Sequence, residues 1–188
     1  GNVQVTRDGG KTWTNVTDKI TGHPGYWVTR VEPSHLNGGT AYVSVSGLRN
    51  DDFRPFVWKT TDYGQTWTSI AANLPKESVN VIREDPYNAD LLFVGTDLGL
   101  YGSLDAGKSW TKITGSVMQA AGGGGFGRGG GGGEPRGVLP TTPVYDLKIH
   151  PRDHEIVLGT HGRGIWIADI SALEELTPAV MAADATLL

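Results

Sequence analysis

The sequence predicts an all-β protein built from repeated, four-stranded antiparallel sheets. A turn motif, [Ser/Thr]-x-Asp-x-Gly-x-[Thr/Ser]-Trp, occurs three times, at residues 6–13, 60–67 and 103–110. Each copy lies between two short runs with the composition of β-strands, which is the pattern of a hairpin. The motif aspartates are 54 and then 43 residues apart along the chain. Repetition at this spacing indicates an architecture of stacked structural repeats.

Each fixed position of the motif has a structural role in a tight turn. The glycine supplies a positive φ, the aspartate accepts backbone N–H bonds, and the tryptophan offers a flat face for packing. We therefore expect a structural role, with burial of the indole rings, for the following residues: Asp8, Gly10, Trp13, Asp62, Gly64, Trp67, Asp105, Gly107 and Trp110.

These three segments resemble Asp-boxes, also called bacterial neuraminidase (BNR) repeats. Asp-boxes occur in β-propellers such as sialidases, sortilin-type receptors, some xyloglucan-degrading enzymes and a photosystem assembly factor. The closing segment, 159–169, is similar to the end of the propeller region in large secreted bacterial proteins with sortilin-like repeats, which are often labelled glycosyl hydrolases. The resemblance implies a partial β-propeller, since a closed one needs about four to eight blades. We expect the remaining blades on another segment of a longer protein.

Strands A to D follow one another in each predicted blade, with the Asp-box between C and D. The predicted strands are 3–6, 12–16, 27–32, 40–46, the hairpin 56–70, 79–84, 91–96, 99–103, 109–113, 144–149, 155–160 and 163–168, with a further terminal strand near 180–187. Residues 17–26 and 47–55 are expected to be loops, and 172–176 short helical or irregular structure. The resulting units are a half-blade (1–17), two blades (27–70 and 79–113), a flexible Gly-rich insert (114–142), and a final blade with its tail (143–188).

Composition limits the classes of partner and site that this chain is expected to have. The net charge of −4 shows no general basic character, which argues against nucleic acid. The absence of cysteine excludes disulfides and thiolate metal sites, and no apolar run reaches the roughly 18 residues of a membrane span. His150, His154 and His161 lack the spacing of metal ligands. We expect no metal, no cofactor and no transmembrane segment, and we see no signal peptide in this stretch.

Antiparallel order sorts the connections onto two faces of the predicted sheets. The A–B and C–D turns share one face, and the longer B–C and D–A connections share the other, where binding residues are expected. The candidates on that face are Arg49, Asp51, Asp52, Asp97, His161 and Arg163. The three aspartates are candidates for a paired-carboxylate glycosidase, which needs carboxyls about 5–10 Å apart, although solvated loop carboxylates are favoured. The Gly-flanked turn with His161 and Arg163 is the most site-like cluster, and pairing of Arg163 with a nearby carboxylate is favoured there.

The resemblance implies a non-catalytic protein- or peptide-binding, or scaffolding, module of an exported bacterial protein, extracellular or periplasmic. No catalytic residue is assigned. The alternative is a glycoside hydrolase, sialidase- or xyloglucanase-like, whose active site is completed by other blades, so carbohydrate stays open as a ligand. A third interpretation is an accessory subunit of a larger membrane-associated complex. An enzyme predicts close, buried carboxylates with raised pKa values on the loop-bearing face, whereas a binding module predicts an apolar or mixed patch.

Overall fold

The computed structural model describes residues 1–113 and 139–182, and within them it forms four antiparallel sheets of two to four strands. We number the sheets as blades 1 to 4. The strands of blades 1 and 2 are β1 (Gln4–Val5) and β2 (Thr14–Asn15), then β3 (Trp27–Pro33), β4 (Ala41–Gly47), β5 (Asp52–Thr60) and β6 (Thr68–Ser69). Those of blades 3 and 4 are β7 (Val79–Glu84), β8 (Leu92–Thr96), β9 (Gly99–Ser103) and β10 (Thr111–Ile113), then β11 (Val144–His150), β12 (Glu155–Thr160) and β13 (Ile165–Asp169). The all-β, partial-propeller fold predicted from the repeats is thereby confirmed.

Helices are short. Two 3-10 turns, Thr17–Lys19 and Leu48–Asn50, lie in connections, and α1 (Ser171–Glu174) and α2 (Pro178–Met181) follow the last strand. Within the described ranges, no helix is long and apolar enough to cross a membrane.

The first strand of each of blades 2 to 4 carries a bulge at the same place. The pairing register shifts at Thr29 in β3, at Asn80 in β7 and at Tyr145 in β11. In each strand the shift comes directly after a valine that is paired with the second strand of the blade. A bulge adds one residue to one strand and increases local twist. Its recurrence shows that the blades repeat in backbone detail as well as in strand order.

Three apolar clusters lie between successive blades. Val16 of blade 1 packs with Val43 and Trp58 of blade 2, and Tyr42 of blade 2 packs with Ile82 of blade 3. A third cluster joins blade 3 to blade 4 through these residues among others: Phe93, Leu100, Leu147 and Leu158. Each sheet thus buries one face against its neighbour, which is how radially stacked sheets bury their apolar surface.

The outer face of blade 4 is open within the described residues. Ile165 is 70% exposed, yet Leu100, which has the same pairing position in blade 3, is 1% exposed beneath blade 4. This face therefore has the composition of a stacking surface, as a partial propeller requires.

Three expectations were wrong. Residues 52–55 belong to strand β5 rather than to a loop, because Gly47 pairs with Asp52 across the 3-10 turn and continues the ladder. Residues 178–181 form α2, so the terminal strand predicted near 180–187 is wrong where the structure describes it, since Thr177 and Met181 make a helical backbone bond instead. Trp13 is 59% exposed, because no described blade precedes blade 1. The part of the Gly-rich insert at 114–138, and residues 183–188, lie outside the described residues.

Candidate functional site

The three motif turns, residues 6–13, 60–67 and 103–110, are held by the same side-chain hydrogen bonds; we keep the label Asp-box for them from their resemblance. In the second copy, Thr60 Oγ1 donates to Asp62 Oδ1 (2.8 Å) and accepts from the amide of Gly64 (3.0 Å). Asp62 in turn accepts from the amide (2.9 Å) and the hydroxyl (2.6 Å) of Thr66. The first and third copies repeat all four bonds, around Asp8 and Asp105.

These bonds favour the ionised carboxylates. The Thr12 hydroxyl holds the pKa of Asp8 at about 2, and the Thr66 hydroxyl does the same for Asp62. At Asp105, burial raises the pKa, but hydrogen bonds from Ser109 outweigh burial and lower it. Carboxylates bonded in this way pin the turns and are poor general acids.

The motif tryptophans differ in what they touch. Trp67 is 9% exposed and its indole N–H donates to the carbonyl of Gly64 (3.1 Å). Trp110 is 4% exposed and donates across the blade interface to the carbonyl of Ile70 (2.7 Å). Trp13 makes the intraturn bond to Gly10 alone (3.1 Å). Burial thus depends on the preceding blade, not on the motif.

We call the face that carries the B–C and D–A connections the loop face, and the opposite one, with the Asp-boxes, the turn face. On the loop face, the 3-10 turn Leu48–Asn50 places Arg49 over the ring of Trp27, with the guanidinium 5.3 Å from the ring centroid. Trp27 is 62% exposed. Asp51 ends this turn with a left-handed φ of +55° and is exposed. A cation thus lies against an exposed aromatic surface at the end of blade 2.

Asp52 is paired, not free. Arg54, two residues along β5, donates to both of its carboxylate oxygens, at 2.9 Å from Nε and 2.6 Å from Nη2. This contact holds the pKa of Asp52 at about 2. The Arg54 guanidinium also lies 5.3 Å from the centroid of Phe56. Asp52 therefore serves to orient Arg54 on the strand.

Asp97, His161 and Arg163 lie at the loop ends of blades 3 and 4. Asp97 accepts a bond from the Asn80 side chain (3.0 Å), and the ring of His161 meets Tyr145 edge-on at 5.4 Å. The carbonyl of Arg163 accepts from Trp166 Nε1 (3.0 Å). No ion pair to Arg163 exists within the described ranges, contrary to the favoured pairing.

The candidates thus form separate groups. Arg49, Asp51 and Asp52 share one end of blade 2, but no hydrogen bond or ion pair among residues 1–113 and 139–182 joins them to Asp97 or to the His161 turn. The same ranges contain no cluster of three side chains suited to a metal ion.

Sequence reasoning missed the exposed apolar side chains at the loop end of blade 2. Besides Trp27, this end exposes Leu48 (40%) and Phe53 (48%). Behind it, Arg54, Phe56 and Trp58 alternate along β5 and stack in turn, with ring centroids 5.9 Å apart for the two aromatics. The signal was available, because residues two apart on a strand share a face.

An ion-pair network across three blades was also missed. Arg30 of β3 pairs with Asp146 of β11, two blades away, and Arg83 of β7 pairs with Glu32 and lies 3.5 Å from Asp146. Arg83 Nε also donates to the carbonyl of Leu147 (2.9 Å). The first strands of the blades therefore converge. No sequence signal could find pairs up to 116 residues apart.

Two buried carboxyls do meet, but on the turn face. Asp85 is completely buried and accepts from the amides of Tyr87 (2.8 Å) and Asn88 (2.9 Å). Burial raises the pKa of Glu174 of α1, the nearby Asp85 raises it further, and the contact with His154 opposes the shift. Asp85 Oδ2 and Glu174 Oε1 have no hydrogen-bond partner among the described residues. The Glu174 side chain is 7% exposed. Both carboxyls of the pair are therefore buried against α1.

No protein-family model and no curated protein matches this chain. Solved structures do. A GH74 xyloglucanase from Xanthomonas campestris matches with a TM-score of 0.58 and 16% identity, over 84% of this chain and 24% of that one. A structure described as YCF48 bound to D1 peptide matches with 0.52 and 22%, over 84% and 41%, and YCF48 from Cyanidioschyzon merolae with 0.55 and 8%, over 89% and 44%. The chain spans less than half the length of each. At these identities the likeness shows the fold, a β-propeller.

Proposed function

We propose that this chain is a protein- or peptide-binding segment of the β-propeller of a larger exported protein, and that it binds through the Trp27 surface. We define that surface as Trp27, Leu48, Arg49 and Phe53. The observation that carries the proposal is the 62% exposed indole of Trp27 with the Arg49 guanidinium 5.3 Å from its centroid.

The energetics of the surface favour a macromolecular partner. Tryptophan and arginine are the residues that most often dominate binding energy when they lie in the centre of an interface. Complete burial of a large apolar side chain contributes about 2–3 kcal/mol. Arg49 is held by its aromatic neighbour Trp27, so less side-chain freedom is lost on binding.

A peptide ligand is consistent with one structural neighbour, since YCF48 has been solved with a D1 peptide. Peptide binding is a property of YCF48, and the shared fold is the one reason to use that complex as a model for this chain. An accessory role in a membrane-associated assembly is a finer form of the same proposal.

The alternative is a glycoside hydrolase whose active site needs further blades, and the GH74 neighbours favour it. An exposed tryptophan can stack on a sugar ring as well as on a protein. Asp52, the paired carboxylate at the same end of blade 2, argues for binding instead. Arg54 keeps the pKa of Asp52 at about 2, whereas a general acid needs a raised pKa.

A displayed random-peptide library and a xyloglucan oligosaccharide, each tested on the purified protein, separate these functions. We expect enriched peptides to lose at least about tenfold in affinity with Trp27→Ala or Arg49→Ala, which corresponds to one anchor contact. Trp13→Ala is the matched control, because Trp13 is similarly exposed on the turn motif of blade 1. Binding of the oligosaccharide at Trp27, with no peptide enriched, supports the alternative. Equal peptide loss in Trp13→Ala contradicts the proposed surface.

A further inference from the structure

A cleft on the turn face, far from the Trp27 surface, presents polar side chains that have no partner among the described residues. It has a volume of about 460 Å³ and lies between the β3–β4 turn and the second Asp-box. We propose that it binds a short acidic peptide segment, with a main-chain carbonyl on Asn37 and a carboxylate on Lys59.

The repeat identifies the corresponding place in blade 3. Ala41 pairs with Thr60 as Leu92 pairs with Ser103, at the strand that leads into each Asp-box. The cleft residues Thr40, Tyr42 and Thr61 therefore correspond to Leu91, Phe93 and Leu104. The two preceding turns correspond as well, through Asn37 and Asn88.

The turn geometry supports this equivalence. The amide of Asn37 donates to Ser34 Oγ (3.0 Å), and that of Asn88 donates to Asp85 Oδ1 (2.9 Å). The carbonyl of each asparagine accepts an amide three residues later, both at 3.0 Å. The two asparagine side chains thus start from the same backbone position.

In blade 3 this place is occupied by α1. Leu173 of α1 packs on the cluster that includes Leu91 and Phe93, with Leu104 at its edge. The side-chain amide of Asn88 donates to the carbonyl of Glu174 (3.1 Å). Blade 3 therefore shows what such a place binds, namely a helical turn held by a carbonyl–asparagine bond.

The cleft in blade 2 lies at the same position of the repeat and has a more polar lining. Threonines 40 and 61 replace two leucines, and the side-chain amide of Asn37 has no bond within the described residues. A helix such as α1 could pair Asn37 through a carbonyl as it pairs Asn88, but its leucine would lie against the threonine hydroxyls and leave them unpaired, which is unfavourable. The lining therefore selects a polar segment.

Lys59 gives the cleft its charge preference. It corresponds to Gly102 of blade 3, so its ammonium is an addition to the shared framework. The ammonium lies 5.4 Å from the centroid of Tyr42 and forms no ion pair among the described residues.

The acid in the cleft is already bonded. Glu84 accepts from Ser34 Oγ (2.9 Å), the amide of His35 (2.8 Å) and the hydroxyl of Tyr42 (2.9 Å). These partners hold the Glu84 carboxylate in the buried framework, and no ion pair joins it to Lys59 among the described residues. A ligand carboxylate is the matching partner for Lys59.

Arg7 adds a second cation at the rim of the cleft. Its guanidinium lies 4.1 Å from the ring centroid of Tyr63, a lining residue. This contact brings a residue of the first Asp-box against the second. A segment with two adjacent carboxylates would therefore find two cations, which is why we commit to an acidic peptide.

Two synthetic probes test the charge preference: the peptide Ac-Ser-Ala-Ala-Glu-Glu-Thr-amide and its Gln-Gln analogue, titrated into the ¹⁵N-labelled protein. We expect the acidic peptide to shift the amide signals of Gly38 and Gly39 and to bind about tenfold or more tightly than the neutral one, as a charged hydrogen bond implies. Equal affinities, or shifts that leave both glycines unmoved, overturn the proposal.

Variants locate the contacts. Lys59→Met should remove the preference for the acidic peptide, and Asn37→Ala should weaken both peptides. Lys112→Met is the matched control, because Lys112 lies over Tyr101 at a similar distance (5.7 Å) outside the cleft. A loss in Lys112→Met equal to that in Lys59→Met overturns the assignment. Because Trp27 lies on the opposite face, Trp27→Ala should leave both affinities unchanged, so this result is separate from the fate of the proposed function.

Discussion

Replacing the motif tryptophans one at a time tests the idea that blade contact, not the Asp-box itself, makes them stabilising. Trp110 is 4% exposed, packs in the cluster between blades 2 and 3 and donates 2.7 Å to the carbonyl of Ile70. Trp110→Ala removes the buried ring, at about 3–5 kcal/mol. It also leaves a buried carbonyl without its partner, at about 1–3 kcal/mol.

Trp13 provides the control within the same molecule. It occupies the same motif position and bonds within its turn, but it is 59% exposed. We expect Trp13→Ala to lower the free energy of unfolding by no more than about 1 kcal/mol, since surface changes are usually small. Urea unfolding followed by far-ultraviolet circular dichroism measures both variants. Similar losses for Trp13→Ala and Trp110→Ala would refute the reasoning, because the two tryptophans share their motif position but not their burial.

Three further predictions concern backbone space, the ion-pair network and pH. Gly107 and Gly10 have the same φ of +90°, but a methyl at Gly107 would meet an isoleucine of the preceding blade at 2.9 Å. Gly107→Ala should therefore lower the free energy of unfolding more than Gly10→Ala does, by about 1–3 kcal/mol in urea unfolding; equal losses would contradict this. Arg83→Met leaves the buried Glu32 with only the exposed ring of His35, 3.7 Å away, and should destabilise by about 3–5 kcal/mol in the same assay, and a neutral result would show the network to be dispensable. Burial raises the pKa of Glu174 above 4.5, so the stability from its protonated form is complete below its unfolded pKa and is lost as pH rises through the folded pKa. Glu174→Gln, which cannot ionise, should lose less stability than the wild type as the pH rises above about 4.5; parallel stability curves would contradict a raised pKa for Glu174.

The Asp-box turns were predictable because every bond that defines them is local. Thr60, Asp62 and Thr66 lie within one turn, so their identities suffice to predict the hairpin. The order of strands followed from the same repeat. The start of β5 was not predictable in this way, since charged residues at 52 and 54 read as a loop until pairing with β4 is known.

The candidate site was predictable in part. Reasoning from antiparallel order placed Arg49 on the loop face, but not its contact with Trp27, which depends on the 3-10 turn at 48–50. The cleft at Lys59 has no sequence signature. Its equivalence to the place that α1 occupies in blade 3 is found only when the two blades are aligned, and that alignment requires the strand pairing.

By itself, the sequence determined the repeat, the Asp-box turns and the antiparallel order, since these depend on short-range hydrogen bonds and on the periodicity of single strands. Only the tertiary structure decided which motif tryptophan is buried, which arginine meets which carboxylate, and which of two equivalent turns is occupied. Those outcomes depend on side chains from different blades. Arg30 and Asp146 are 116 residues apart and meet because the first strands of the blades converge. Trp13 and Trp110 have the same motif and different surroundings, because burial is a property of the neighbouring sheet.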